Sequence, residues 1–204
     1  MKYPIFASVV AFSLWLMFAI HRKREKEAEE YQAFWDEEAK ANATRRKPLD
    51  DLNYITIPFD KLPVDVLSDR EEIASCLEML HTLSEAPIVN FTGLTNTELK
   101  LRYGAPNIDT LSNYDQSYTL LVRTLDKWAH LLYKEGKVKE AKTILEFSVE
   151  TGSDVSSTYD LLADIYLSDH ENEKIKELIP KAEGLNSLMK KSIIKNLEDH
   201  LEKA

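Results

Sequence analysis

The chain has 204 residues, 44% of them hydrophobic and 30% charged, with seven prolines and five glycines. That length suits one modest domain with appendages, and the composition suits a mainly helical body. The formal net charge is −9, of which about −11 lies beyond residue 47. An acidic body without a basic stripe argues against nucleic acid, and the single cysteine, Cys76, excludes an internal disulfide and a cysteine metal cluster.

The first element is an apolar run from Pro4 to Ile20 that contains no charged residue. As a helix it would span roughly 25 Å, the short end of what crosses a bilayer. The positive charge follows it, in His21-Arg22-Lys23-Arg24, and no Ala-x-Ala precedes that cluster. This order argues against a cleaved signal peptide and predicts a retained transmembrane helix over 4–20. With Arg22, Lys23, Arg24 and Lys26 behind the run and Lys2 before it, the positive-inside rule places the body in the cytoplasm.

Residues 21–47 predict a charged helical neck, free of glycine and closed by Pro48. Lys26 and Glu30 stand four apart, as an ion pair on a helix surface requires. Ala28, Tyr31, Trp35 and Ala39 form a narrow apolar stripe with Phe34 beside it. The stripe predicts contact with the body or with lipid headgroups. A short self-association seam is the alternative, although it has fewer than three heptads. Arg45-Arg46-Lys47 adds a second basic cluster suited to anionic lipid.

From Leu52 to Pro63 the pattern alternates, with Ile55, Ile57 and Phe59 on one side. Pro58 and Pro63 disfavour a central strand, so residues 48–67 predict an extended strap packed on helices. The strap could also lie in a groove of the body as an internal pseudo-ligand. Ser68 or Asp69 then caps a helix to about Ser84, with Ile73, Cys76, Leu77, Leu80 and Leu83 inward. On that apolar face Cys76 reads as a small buried hydrophobe. Pro87 opens a buried connector, and Thr95-x-x-Glu98 is a capping box for a short helix from Glu98 to Tyr103. Gly104 stops that helix and Pro106 is expected to prevent its resumption. Asn42-Ala43-Thr44 and Asn90-Phe91-Thr92 match the glycosylation triplet, which a cytoplasmic body would leave unused.

Ser112 or Asn113 opens the next predicted helix, to Glu135, and with it a repeat of period 34 from Val122 to Met189. Leu125, Trp128, Ala129 and Leu132 recur as Tyr159, Leu162, Ala163 and Tyr166. After the break at Gly136, Ala141, Leu145 and Ser148 recur as Ile175, Ile179 and Ala182. The units are 122–155 and 156–189, followed by a cap helix over 187–203. Small residues at Ala129, Ala163, Ser148 and Ala182, large ones at Leu132 and Tyr166, and Gly136 at the turn resemble the tetratricopeptide-repeat family. His170 replaces the turn glycine, Ile175 stands where a small residue is usual, and Ser153 and Ser187 replace the closing proline. The resemblance implies an all-α array of antiparallel helical hairpins, here within 68–204. Two hairpins bury too little alone, so the helices near 69–84 and 98–103 are expected to supply a first layer.

The five histidines fall on separate elements with no His-x-x-x-His pair, so no metal, cofactor or catalytic residue is assigned. The resemblance implies a concave groove on the first helices of the hairpins, lined by Arg123, Asp126, His130, Tyr133, Ser157, Asp160, Asp164 and Leu167. The family's clamp for acidic tails uses Lys, Asn and Arg there. The acidic residues in this chain predict a neutral or basic peptide partner instead. The expected function is a membrane-anchored adaptor, with a structural subunit whose repeats are fully covered as the alternative. Oligomeric state stays open.

Overall fold

A computed structural model describes residues 4–202, with side chains from residue 8. Among the described residues the chain forms eight α-helices and no paired strand, an all-α fold. It divides into two compact units. One comprises the residues up to Lys47 together with Thr95–Ile108. The other comprises Pro48–Leu94 together with the residues from Asp109 onward.

The first unit is built on α1 (Pro4–Asn42), a single helix of 39 residues. The charged neck continues the apolar run in one helix, because nothing between Ile20 and Asn42 breaks it. The ion pairs His21–Glu25, Lys23–Glu27 and Lys26–Glu30 run along its surface at 3.2, 3.5 and 3.6 Å. No helix among the described residues is long and apolar enough to cross a membrane. The side chains of residues 4–7 lie outside the described set. The described apolar part, residues 8–20, rises about 20 Å against a hydrocarbon core of about 30 Å. The transmembrane helix expected at 4–20 is therefore not supported by the described residues. In the neck stripe Tyr31, Phe34 and Trp35 are 65, 54 and 49% exposed.

α3 (Asn96–Tyr103) docks beside the end of α1. Thr95 caps it as expected, accepting from the Glu98 amide while the Glu98 carboxylate accepts from the Thr95 amide. Glu38 on α1 accepts from Lys100 Nζ at 2.5 Å and from Thr97 Oγ1 at 2.6 Å. These bonds, Lys100 foremost, hold the Glu38 carboxyl below its usual range. α3 was expected in the first layer of the array, and its bonds are to α1 instead. Nor does Pro106 interrupt the chain. It lies in a 3-10 turn, Ala105–Asn107, and the next helix begins at Ile108, before the expected Ser112. A proline suits the first turn of a helix, where its missing amide costs no bond.

The second unit contains α2 (Glu71–Ser84), α4 (Ile108–Lys134), α5 (Val138–Glu150), α6 (Ser156–Ser168), α7 (Asn172–Glu183) and α8 (Lys190–Leu201). In α2 the five residues expected inward are the five that are buried. Its N-cap is Arg70, without a side-chain cap, because Ser68 turns its hydroxyl to the Asp65 carbonyl. Burial pushes the Cys76 thiol up, as befits a core residue. The strap expected over 48–67 is extended only over 53–58, where Tyr54 forms one antiparallel bridge with Val89. From Phe59 to Asp69 it folds into successive turns, the Lys61 and Leu62 amides both donating to the Pro58 carbonyl. Ile57 and Leu62 are buried in the core, and Phe59 stacks on His81 of α2 at 4.5 Å. The cap helix is shorter than expected, Lys190–Leu201 against 187–203, and residue 203 lies outside the described set.

The hairpins pack as their spacing demands. Leu125, Trp128, Ala129 and Leu132 are wholly buried, as are Tyr159, Leu162 and Ala163, with Tyr166 nearly so. α4 and α5 meet at Gly136, in the left-handed region at φ +74. There the Gly136 and Lys137 amides donate to the Tyr133 and Leu132 carbonyls. Thirty-four residues on, His170 takes φ +58, and the amides of His170 and Glu171 donate to Leu167 and Tyr166. Ser153 and Ser187, 34 residues apart, each accept from the amide two residues on.

Candidate functional site

The face expected to bind a partner lies on α4 and α6, and most of its polar atoms are engaged within the chain. Asp126 on α4 accepts from Ser157 at 3.0 Å and from the buried Thr158 at 2.9 Å, both in the first turn of α6. This carboxylate thus satisfies a buried hydroxyl as it joins two helices. His130 Nδ1 lies 2.8 Å from the Asp126 carbonyl and 3.6 Å from its carboxylate.

The same scheme recurs one unit later. Asp160 on α6 accepts from Asn196 of α8 at 3.0 Å. Asp164 meets His200 Nε2 at 3.1 Å, and His200 Nδ1 faces the Asn196 carbonyl at 2.7 Å. Successive first helices are thus stapled by the very acids that suggested a groove. α8 acts as a further first helix and covers part of the face. Asp164 still leaves 59% of its side chain exposed. Arg123, Tyr133 and Ser157 are exposed, Leu167 is half-buried at the core edge, and these complete the face.

Two further arrangements escaped the sequence. On α5 to α7 two ammonium groups lie over the Tyr166 ring, Lys142 Nζ at 4.9 Å and Lys174 Nζ at 5.3 Å from its centroid. Its hydroxyl donates to Glu146 at 2.8 Å, and Lys142 bonds Glu171 at 2.6 Å and Asp169 at 2.8 Å. Burial and Glu146 push the Tyr166 hydroxyl up. Burial opposes the Lys142 charge, yet Asp169 and Glu171 hold its ammonium above the ordinary range. Glu171 is correspondingly held below its range, by Lys142 first and Lys174 second. Only residues brought together by the fold reveal this cluster; 29 positions separate Lys142 from Glu171.

The other is a junction at the ends of the hairpins. Asn90 donates to the Thr151 and Gly152 carbonyls, both at 3.3 Å, and Asn186 donates to Gly93 at 3.1 Å. Tyr118 and Tyr159 close it by donating to the Thr151 and Ser153 carbonyls. Burial, with Asp154 second, pushes Tyr159 up to about 12. Beside the junction lies an open cleft of about 850 Å³, lined by Thr92, Asp154, Asn186, Lys190 and the fully exposed Leu188 among others. Among the described residues no group of three His, Cys, Asp or Glu side chains could hold a metal ion. No family model, no curated protein and no solved structure matches this chain.

Proposed function

We propose that this chain is a tethered adaptor, a helical-repeat body of the tetratricopeptide-repeat type held at a bilayer by the start of α1. The observation that carries the tether is exposure. Val9, Val10, Phe12, Leu14, Trp15, Leu16, Met17, Phe18 and Ile20 all project from one helix without protein cover. Isolated exposed apolar residues are ordinary, but an unbroken stretch on every face calls for a non-aqueous neighbour. In the sequence the apolar run begins at Pro4 and so has 17 residues, roughly 25 Å as a helix, the short end of what crosses a bilayer. The basic cluster behind it orients the body toward the cytoplasm.

The partner surface is the α4–α6 face, and it takes a neutral or basic protein segment. Arg123 and Tyr133 are its accessible members; Asp126, Asp160 and Asp164 shape it while stapling the helices. Their engagement also favours a second reading, a structural subunit whose stacked first helices are covered by α8 and a permanent neighbour. One experiment separates the two. A photo-crosslinking residue is placed at Tyr133 or, as a control, at the exposed Lys139 of α5 in the full-length protein in its native membrane. An adaptor gives discrete adducts from 133, absent from 139 and weakened by Asp164→Lys, which puts a positive charge on the face at its exposed acid. A structural subunit gives one stoichiometric adduct that Asp164→Lys leaves intact. No adduct from 133 would sink both readings of this face.

A further inference from the structure

We infer that α1 pairs with α1 of a second copy, in parallel, along one seam that runs through both its apolar and its charged half. Because α1 is unbroken, the two halves share a helical register. From Val10 the residues Leu14, Met17, His21, Arg24, Ala28, Tyr31 and Trp35 follow in alternating steps of four and three, the spacing of a coiled-coil seam. Over the apolar half alone, lipid would account for the exposure of Leu14 and Met17, at 63 and 70%. Tyr31 and Trp35 on the same face lie about 16 to 22 Å beyond Ile20 along the helix, past the hydrocarbon. A partner running the length of the face accounts for both halves at once.

The chemistry selects a second copy. A parallel copy sets apolar against apolar at Val10, Leu14, Met17 and Ala28 and aromatic against aromatic at Tyr31 and Trp35, with His21 and Arg24 as a polar crossing between the two halves. Lys23, Lys26 and Glu30 lie on the far side of the helix and Glu27 on the flank of the seam, and all four are already paired within the helix. Arg24, on the seam, has no ion pair within its own chain among the described residues, and a parallel copy brings Glu25 beside it. α3 attaches only at Glu38 and beyond, so the seam is uncovered up to Trp35. Ala28 admits close approach between the two aromatic layers and the polar crossing. This pairing rests on α1 alone and stands or falls apart from the reading of the repeats.

Disulfide trapping of the full chain in mild detergent tests it. The native Cys76 is buried and its thiol pushed up, so it contributes little background. Leu14→Cys and Ala28→Cys should each form covalent dimers an order of magnitude faster than Lys26→Cys and Glu30→Cys. Tyr31→Glu combined with Trp35→Glu should halve the protein's mass in the micelle while its helix content stays unchanged. Equal rates on and off the seam, or trapping at 14 without trapping at 28, would overturn the proposal. So would Trp35 fluorescence quenched by brominated lipid without trapping at 28, which would give the face to lipid.

Discussion

The two hairpins reach one backbone by different residues. At the turn of the first, Gly136 takes a left-handed conformation at no steric cost. At the turn of the second, His170 takes it with a side chain attached, and the two hydrogen bonds of the turn are the same. Position 137 is a lysine and position 171 a glutamate, and only the second is drawn into the Lys142, Tyr166 and Lys174 cluster. The comparison teaches that packing of the small and large residues fixes the hairpin, and the turn follows. Left-handed strain of about 1–2 kcal/mol at a non-glycine residue is small beside a filled core.

The strongest way to break this equivalence is in the crossing itself. Ala129→Leu and Ala163→Leu should each destabilise the body by about 1–3 kcal/mol through overpacking, read from denaturation midpoints of the full chain in detergent. If one is tolerated, the hairpins do not share a crossing geometry. A smaller effect sharpens the turns. Gly136→Ala meets nothing within 4 Å of its new carbon, so it should cost only the conformational strain of about 1 kcal/mol. His170→Gly should run the other way, gaining at most about 1 kcal/mol. A gain from Gly136→Ala would refute the account. The smallest effect concerns the charge cluster that the second hairpin alone possesses. Glu171 is held below its unfolded range, so its contribution is full above that range and is lost as pH falls through it. Melting temperature should therefore fall less steeply below about pH 4.5 in Glu171→Gln than in the parent. Parallel acid limbs would show that the cluster contributes nothing to stability.

Much of the fold was legible. The five inward residues of α2, the Thr95 capping box and the buried set of both hairpins follow from local spacing, which the backbone enforces residue by residue. Boundaries were less legible where one signal had two meanings. Pro106 reads as a stop, yet proline also suits the entry to a helix, and α4 starts two residues later. α3 carried no mark of its partner, because the Glu38–Lys100 pair spans 62 residues. The candidate face was legible by position alone. Asp126, Asp160 and Asp164 were seen as acids on a helix surface, and their engagement by Thr158, Asn196 and His200 depends on neighbours that only folding supplies.

The junction at the hairpin ends bears on how the body assembles. In a simple solenoid each unit meets only its neighbours, so structure spreads from any point and frays from either end. Here Asn186, beside the last helix, bonds the carbonyl of Gly93, a residue met 93 positions earlier. Gly93 sits at φ +80 so close beneath it that a β-carbon would fall 2.1 Å from the Asn186 oxygen. Asn90 holds the middle turn from the same connector. Contacts of such long sequence reach cost loop-closure entropy before they return anything, so they form late. Once formed, they close the array into a ring of dependencies. The last hairpin is held by the first connector, and what began as a linear stack acquires the cooperativity of a globule.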